Sequence, residues 1–236
     1  MAHEIDYELI GDDMQLVEVT LDPQETVRAE AGTMMYMDQG IQMETGTGGG
    51  LMKGLKRMFT GESFFITSFT NIGTGRQKVG FASPYPGKIV PIDLLKMGGE
   101  FLCQKDAFLC AAYGVEIEVA FTKRLGAGLF GGEGFILQRL TGDGLAFIHA
   151  GGTIIERDLQ PGETLRVDTG CVVAFSRTVN YDIQFVGGFK NALFGGEGLF
   201  LVNLQGPGKV YLQSLPFSKL VDRIHHALPP ARRGND

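Results

Sequence analysis

The residues best placed to do chemistry sit in three glycine-rich loops. One reads Leu129-Phe130-Gly131-Gly132-Glu133-Gly134, a second Leu193-Phe194-Gly195-Gly196-Glu197-Gly198, and a looser third Met58-Phe59-Thr60-Gly61-Glu62-Ser63. Glycine amides can cradle an anion. Basic residues precede each loop: Lys53, Lys56 and Arg57, then Lys123 and Arg124, then Lys190. A phosphate or nucleotide is one ligand such a set would serve. The loops match neither GxxxxGK[ST] nor a GxGxxG that opens a helix, however, and a central carboxylate opposes an anion. Glu62, Glu133 and Glu197 gathered around an axis would hold a cation instead. The simpler reading is structural: each glycine pair turns the chain, and its glutamate accepts backbone amides or pairs with Lys or Arg. The candidate ligand-binding residues are therefore Glu62, Glu133, Glu197, Lys56 and Arg57, behind that structural reading and ahead of catalysis.

No other residue set makes a catalytic constellation. Ser63, Ser68 and Ser83 lack a GxSxG elbow. His225 and His226 are adjacent on a helical stretch, point apart and read as solvated surface. His149 lies in an apolar strand and reads as a hydrogen-bonded core histidine. Four scattered histidines do not supply the clustered ligands of a metal site. We expect no metal, no cofactor and no enzymatic activity.

The composition narrows the class. Of 236 residues, 44% are hydrophobic, which is ample for a core, and 35 glycines suit many tight turns. A net charge of −6 with no basic block excludes general nucleic-acid binding. Three cysteines, Cys103, Cys110 and Cys171, form no close-spaced pair and read as buried free thiols in a reducing compartment. The acidic start Met1-Ala2-His3-Glu4-Ile5-Asp6 has no apolar signal core, and no run reaches 18 apolar residues. The expectation is a soluble cytoplasmic protein.

These loops recur in register with a second landmark, and shared periodicity signals repeated units. Leu21-Asp22-Pro23-Gln24-Glu25-Thr26-Val27 matches Leu159-Gln160-Pro161-Gly162-Glu163-Thr164-Leu165, with Lys96-Met97-Gly98-Gly99-Glu100-Phe101-Leu102 as a weaker copy. From Glu25, Glu100 and Glu163 to the next loop glutamate the distances are 37, 33 and 34 residues. Three units follow, about 16–91, 92–157 and 158–217, in a single all-β assembly.

Period-two alternation marks the strands. Val17, Val19 and Leu21 face one way, and Val27, Ala29 and Ala31 continue the pattern to Gly32. Val115, Ile117, Val119 and Phe121 alternate, as do Val179, Tyr181, Ile183 and Phe185. Ile41 and Met43 correspond to these in the first unit. Phe64–Phe69 with Gln77–Phe81 and Phe135–Leu140 with Leu145–Ala150 are expected hairpins. The apolar run Phe101–Ala112 reads as strand buried on both faces. Leu51–Phe59 has a short amphipathic pattern that would suit a membrane surface; Gly54 interrupts it, and a connector with a core face is preferred. Near the end, Ser218 is expected to cap a helix from Lys219 to about Leu228, so 218–228 reads as helix and 229–236 as a disordered tail.

Gly54-Leu55-Lys56-Arg57-Met58-Phe59-Thr60-Gly61-Glu62-Ser63-Phe64-Phe65, followed by the two Phe-Gly-Gly-Glu-Gly copies, resembles the altered-inheritance-of-mitochondria family over nearly the whole chain. The resemblance implies tandem β-sandwich units, similar to the trp RNA-binding attenuation protein and to a double-stranded β-helix, with pseudo-threefold repetition. It also implies assembly into a trimer or larger ring. The chain looks like a bacterial member of unassigned function, so neither inner-membrane organisation nor RNA binding need transfer. The expected function is a non-enzymatic, homo-oligomeric scaffold or binding protein with a possible protein partner. The alternatives are a small-ligand or metal-binding protein using the Gly-Gly-Glu loops, or a peripheral membrane protein.

Overall fold

A computed structural model describes residues 1–46, 66–123, 135–186 and 199–228. Among the described residues it is an all-β fold of antiparallel sheets with one short helix, α1 (Phe217–Ala227), at the C-terminal end. The first sheet has the order β1 (Asp6–Ile10), β2 (Leu16–Leu21), β7 (Gln77–Ala82), β4 (Met34–Met37). The second runs β5 (Ile41–Gly46), β6 (Ile66–Asn71), β3 (Thr26–Glu30), β10 (Phe108–Ala112), β13 (Leu145–Gly151), β8 (Gly87–Asp93). The third runs β11 (Glu116–Lys123), β12 (Phe135–Thr141), β9 (Glu100–Gln104), β16 (Val172–Ser176), β19 (Gly208–Gln213), β14 (Ile154–Leu159). The fourth has β15 (Thr164–Asp168), β18 (Leu199–Gln205), β17 (Asn180–Val186). Adding six to every strand number of the second sheet yields the order of the third.

Three apolar cores fill the spaces between successive sheets. Val17, Val19 and Phe81 of the first sheet meet Val27, Phe69 and Phe147 of the second. Ile92 and Ile148 of the second meet Phe101, Leu140 and Tyr211 of the third. Leu102, Leu137 and Phe175 of the third meet Val202, Leu204 and Ile183 of the fourth. The two middle sheets are thus covered on both faces. This explains why residues 101–112 show no polar alternation: Phe101 and Leu102 enter different cores, as do Phe108 and Leu109.

That stretch is two strands rather than one. A 3-10 turn at Lys105–Ala107 carries the chain from β9 in the third sheet to β10 in the second. Both expected hairpins are also corrected. β6 pairs with β3 and β5, whereas β7 pairs with β2 and β4. Likewise β12 pairs with β9 and β11, and β13 with β8 and β10. Each short glycine turn arches between sheets because both edges of the strands it joins are already taken.

The alternation at Val17, Val19 and Leu21 coincides with β2. β3 stops at Glu30, so Ala31 is exposed rather than continuing the strand, and Met43 of β5 is exposed beside buried Ile41. Cys103 and Cys110 are buried free thiols, whereas Cys171 is half-buried. The helix begins at Phe217, with Pro216 at its N-cap and no side-chain cap, so Ser218 lies inside its first turn. The amide of Leu220 donates to the Pro216 carbonyl and closes that turn without help from a serine. The expected tail at 229–236 falls outside the described residues.

Candidate functional site

Glu62, Glu133, Glu197, Lys56 and Arg57 all fall outside the described residues, as does the Leu51–Phe59 stretch. The described strands on either side of these segments are β5 and β6, β11 and β12, and β17 and β18, and each of these is an antiparallel pair. His225 and His226 are exposed on α1 with their rings at 80° to one another. Among the described residues no group of three His, Cys, Asp or Glu side chains is placed to hold a metal ion.

A different place in the molecule concentrates polar chemistry. A cavity of about 900 Å³ opens where three strand connections converge: Glu30–Thr33 between β3 and β4, Gln104–Ala107 between β9 and β10, and Asp168–Gly170 between β15 and β16. The first turn of α1 and residues Ser83–Tyr85 complete its wall, and His149 of β13 and Gln213 of β19 line it.

His149 is 2% exposed, and neither ring nitrogen has a hydrogen-bond partner among the described residues. Burial pushes its pKa down to about 4, so the ring is neutral near pH 7. A neutral imidazole carries one N–H donor and one acceptor nitrogen. Leaving both unused in the core costs on the order of 1–3 kcal/mol per group. The sequence reading of a satisfied histidine is therefore corrected. Its position in an apolar strand was legible, but the lack of partners depends on neighbours contributed by distant segments.

The ring of Tyr85 meets His149 edge-on at 4.6 Å, and Phe217 of α1 lies 5.1 Å beyond Tyr85. The Tyr85 hydroxyl donates to the Asp106 carbonyl at 3.4 Å, and burial pushes its pKa up. Glu30 is half-buried at the end of β3. Desolvation, aided by the nearby charge of Asp106 and opposed by Lys105, raises its pKa to about 7. At neutral pH Glu30 thus exchanges a proton readily and serves as donor or acceptor. At the rim Lys105 lies 3.6 Å from Asp106, and Lys219 of α1 donates to Asp168 at 2.9 Å.

The cleft therefore has an aromatic wall, a neutral imidazole with free valences, a carboxyl group near its midpoint of titration, and a rim of paired charges. No sequence motif announces it, because its residues come from successive connections some sixty to seventy-five positions apart.

Comparison with known proteins places this architecture. Residues 7–215 match the family model described as mitochondrial biogenesis AIM24. An uncharacterised protein of Streptococcus pyogenes serotype M6 is 31% identical over 222 residues, covering 91% of this chain and 87% of that protein. The crystal structure of a Streptococcus pyogenes protein superposes with a TM-score of 0.77 at 26% identity, over 95% of this chain and 100% of that one. The chain belongs to the mitochondrial biogenesis AIM24 family.

Proposed function

We propose that this chain is a non-enzymatic binding protein whose ligand occupies the cleft beside His149. The observation that carries the reading is a buried imidazole, both nitrogens without a partner among the described residues, on the wall of a cavity of about 900 Å³. Small-molecule sites are concave, of roughly 300–1,000 Å³, with an apolar lining and a few convergent polar groups. Tyr85 and Phe217 provide the flat apolar surface, and His149 and Glu30 the convergent polar groups. Because the rim cations Lys105 and Lys219 are engaged by Asp106 and Asp168, the cleft favours an uncharged ligand with a flat body and a donor–acceptor edge.

We infer further that the chain consists of three copies of one six-strand unit, with the cleft where their equivalent connections meet. The six-strand displacement between the second and third sheets supports this. On this reading the units run 16–82, 87–151 and 154–213, with joins a few residues earlier than the sequence landmarks suggest. The buried free thiols Cys103 and Cys110 favour a reducing, cytoplasmic setting. No described helix is long and apolar enough to cross a membrane.

The test is native mass spectrometry of protein purified without added metal or chelator. We expect a reproducible extra mass per chain that His149→Phe abolishes while the circular dichroism spectrum is preserved. A bare wild-type mass, with no change in melting temperature across a library of uncharged aromatic compounds, overturns the proposal.

A further inference from the structure

The cleft beside His149 does not stop at its aromatic wall. Phe200 of β18 and Val221 and Asp222 of α1 line it as well. Val221 stands one helical turn after Phe217, so the two share a face of α1. Phe200 packs against Phe185 of β17, with ring centroids 5.0 Å apart. An apolar strip therefore runs outward from Tyr85 through Phe217, 5.1 Å away, to Val221, with Phe200 on the same cavity.

This strip is poorly covered. A helix with one apolar face normally buries it against the core. No residue of α1 is buried. Phe217 is 48%, Val221 42% and Ile224 53% exposed, whereas His149 is 2% exposed. The cavity thus has a closed end with polar groups, His149 and Glu30, and an open end where apolar side chains remain half in water. A ligand confined to the closed end leaves the open end wet. One that continues along α1 removes that apolar surface from water, which is favourable.

Charge narrows the class further. Among the described residues the wall carries four carboxyl groups, on Glu30, Asp106, Asp168 and Asp222, against two ammonium groups, on Lys105 and Lys219. Both lysines are paired, with Asp106 and Asp168. A fatty acid or a phosphate headgroup would therefore enter a site where carboxyl groups outnumber the cations and the cations are already engaged.

We propose that the cleft ligand is an amphiphile: an uncharged, hydrogen-bonding ring seated beside His149, carrying one apolar chain that lies along Phe217 and Val221 of α1. The proposal rests on the reading that the cleft binds a ligand, and adds the chain to it. From Phe217 to Ile224 the helix rises about 10 Å, so a chain of several carbons is covered without passing beyond the exposed stripe. The ligand completes the packing of α1 that the protein core leaves undone.

The test is isothermal titration calorimetry on the full chain with three probes: resorcinol, hexylresorcinol and hexanol, each below the concentration at which it self-associates. Hexylresorcinol is expected to bind at least about tenfold more tightly than resorcinol, since burying two methylenes is worth that much. Hexanol, a chain without a ring, is expected to bind far more weakly than hexylresorcinol. His149→Phe is expected to weaken both ring compounds. Val221→Glu, at an exposed helix position, is expected to reduce the ratio between them to about threefold or less. Equal affinities for resorcinol and hexylresorcinol overturn the chain and leave the cleft reading standing. So does a ratio that Val221→Glu does not move. Hexanol binding as tightly as hexylresorcinol overturns the amphiphile, because the ring then contributes nothing. Absence of binding by both ring compounds overturns the cleft reading and this inference together.

Discussion

His149 and Gln213 occupy the same place on two strands and meet opposite fates. Each lies two residues beyond the residue that faces the shared bulge, Phe147 opposite Cys110 in one case and Tyr211 opposite Ala174 in the other. Both line the cleft. The Gln213 amide donates to the Gly170 carbonyl and accepts from the Gly151 amide, each at 2.8 Å. It is a strut between two connections. His149 is the more deeply buried of the two, yet its nitrogens meet no partner among the described residues, and the corresponding carbonyl, that of Asp106, is taken by the Tyr85 hydroxyl. A polar side chain facing a cavity is structural when the chain supplies its partners. When the described chain does not, the group is left open to the cavity.

The sharpest way to break this comparison is acid. His149 has a folded pKa near 4, below the ordinary value of 6.5, so the unfolded state binds the extra proton first. Its contribution to stability is therefore present above about pH 6.5 and lost as pH falls toward 4. The full span corresponds to about 3 kcal/mol. His149→Leu should remove this loss, raising stability at pH 4 relative to wild type; urea titrations at pH 4 and pH 7 measure it. Equal wild-type and variant slopes would mean that the imidazole has a partner after all.

Gln213→Leu should behave oppositely. It strands the Gly170 carbonyl and the Gly151 amide and should lower stability by about 1–2 kcal/mol at every pH. A neutral outcome in the same titrations would remove the distinction between strut and free group.

Glu30→Gln is a finer probe. The native carboxyl has its pKa raised to about 7, so the folded state holds a proton that the unfolded state releases above about 4.5. Stability from this group falls as pH rises from about 4.5 to 7, against the slope of His149. Glu30→Gln should leave the histidine slope alone, making wild-type stability look flatter with pH than that of the variant. The smallest effect is at the rim. Lys219→Ala breaks an exposed pair with Asp168 and should cost about 0.2–1 kcal/mol, reduced further by salt. It should also slow alkylation of Cys171, because the ammonium at 3.8 Å lowers the pKa of that thiol and favours the reactive thiolate.

Much of the fold could be read from the residues themselves. Wherever a strand has one face on a core and one on water, as at Val17, Val19 and Leu21, alternation identifies it and its buried face. Where both faces are covered, as at Phe101–Ala112, the pattern becomes continuous and hides the break at Lys105–Ala107. Glycine turns after Phe69 and Leu140 marked the right bends but suggested the wrong partners, because a turn records that the chain reverses and not which edge is vacant. The cleft was nearly illegible. His149 stood out as a lone histidine among apolar residues, but its neighbours Tyr85 and Phe217 are brought to it by topology alone. Glu30 looked like any strand-end carboxylate, because desolvation is a property of surroundings and not of spacing.

The six-strand displacement between sheets also governs how the chain can be made and divided. Each middle sheet draws three strands from an earlier stretch and three from a later one, so its central junction cannot form until both stretches have been synthesised. Pairings such as β3 with β10 and β9 with β16 span some seventy to eighty residues or more, as Ala29 with Cys110 and Cys103 with Ala174 illustrate. Such long closures slow folding. A nascent chain ending before β16 would hold β9 with a bare edge, and proteolytic excision of the middle stretch, β8 to β13, would leave two half-sheets rather than one smaller protein. The molecule should therefore unfold as one cooperative unit, and gain or loss of a whole unit during evolution would require the vacant edges to find each other again.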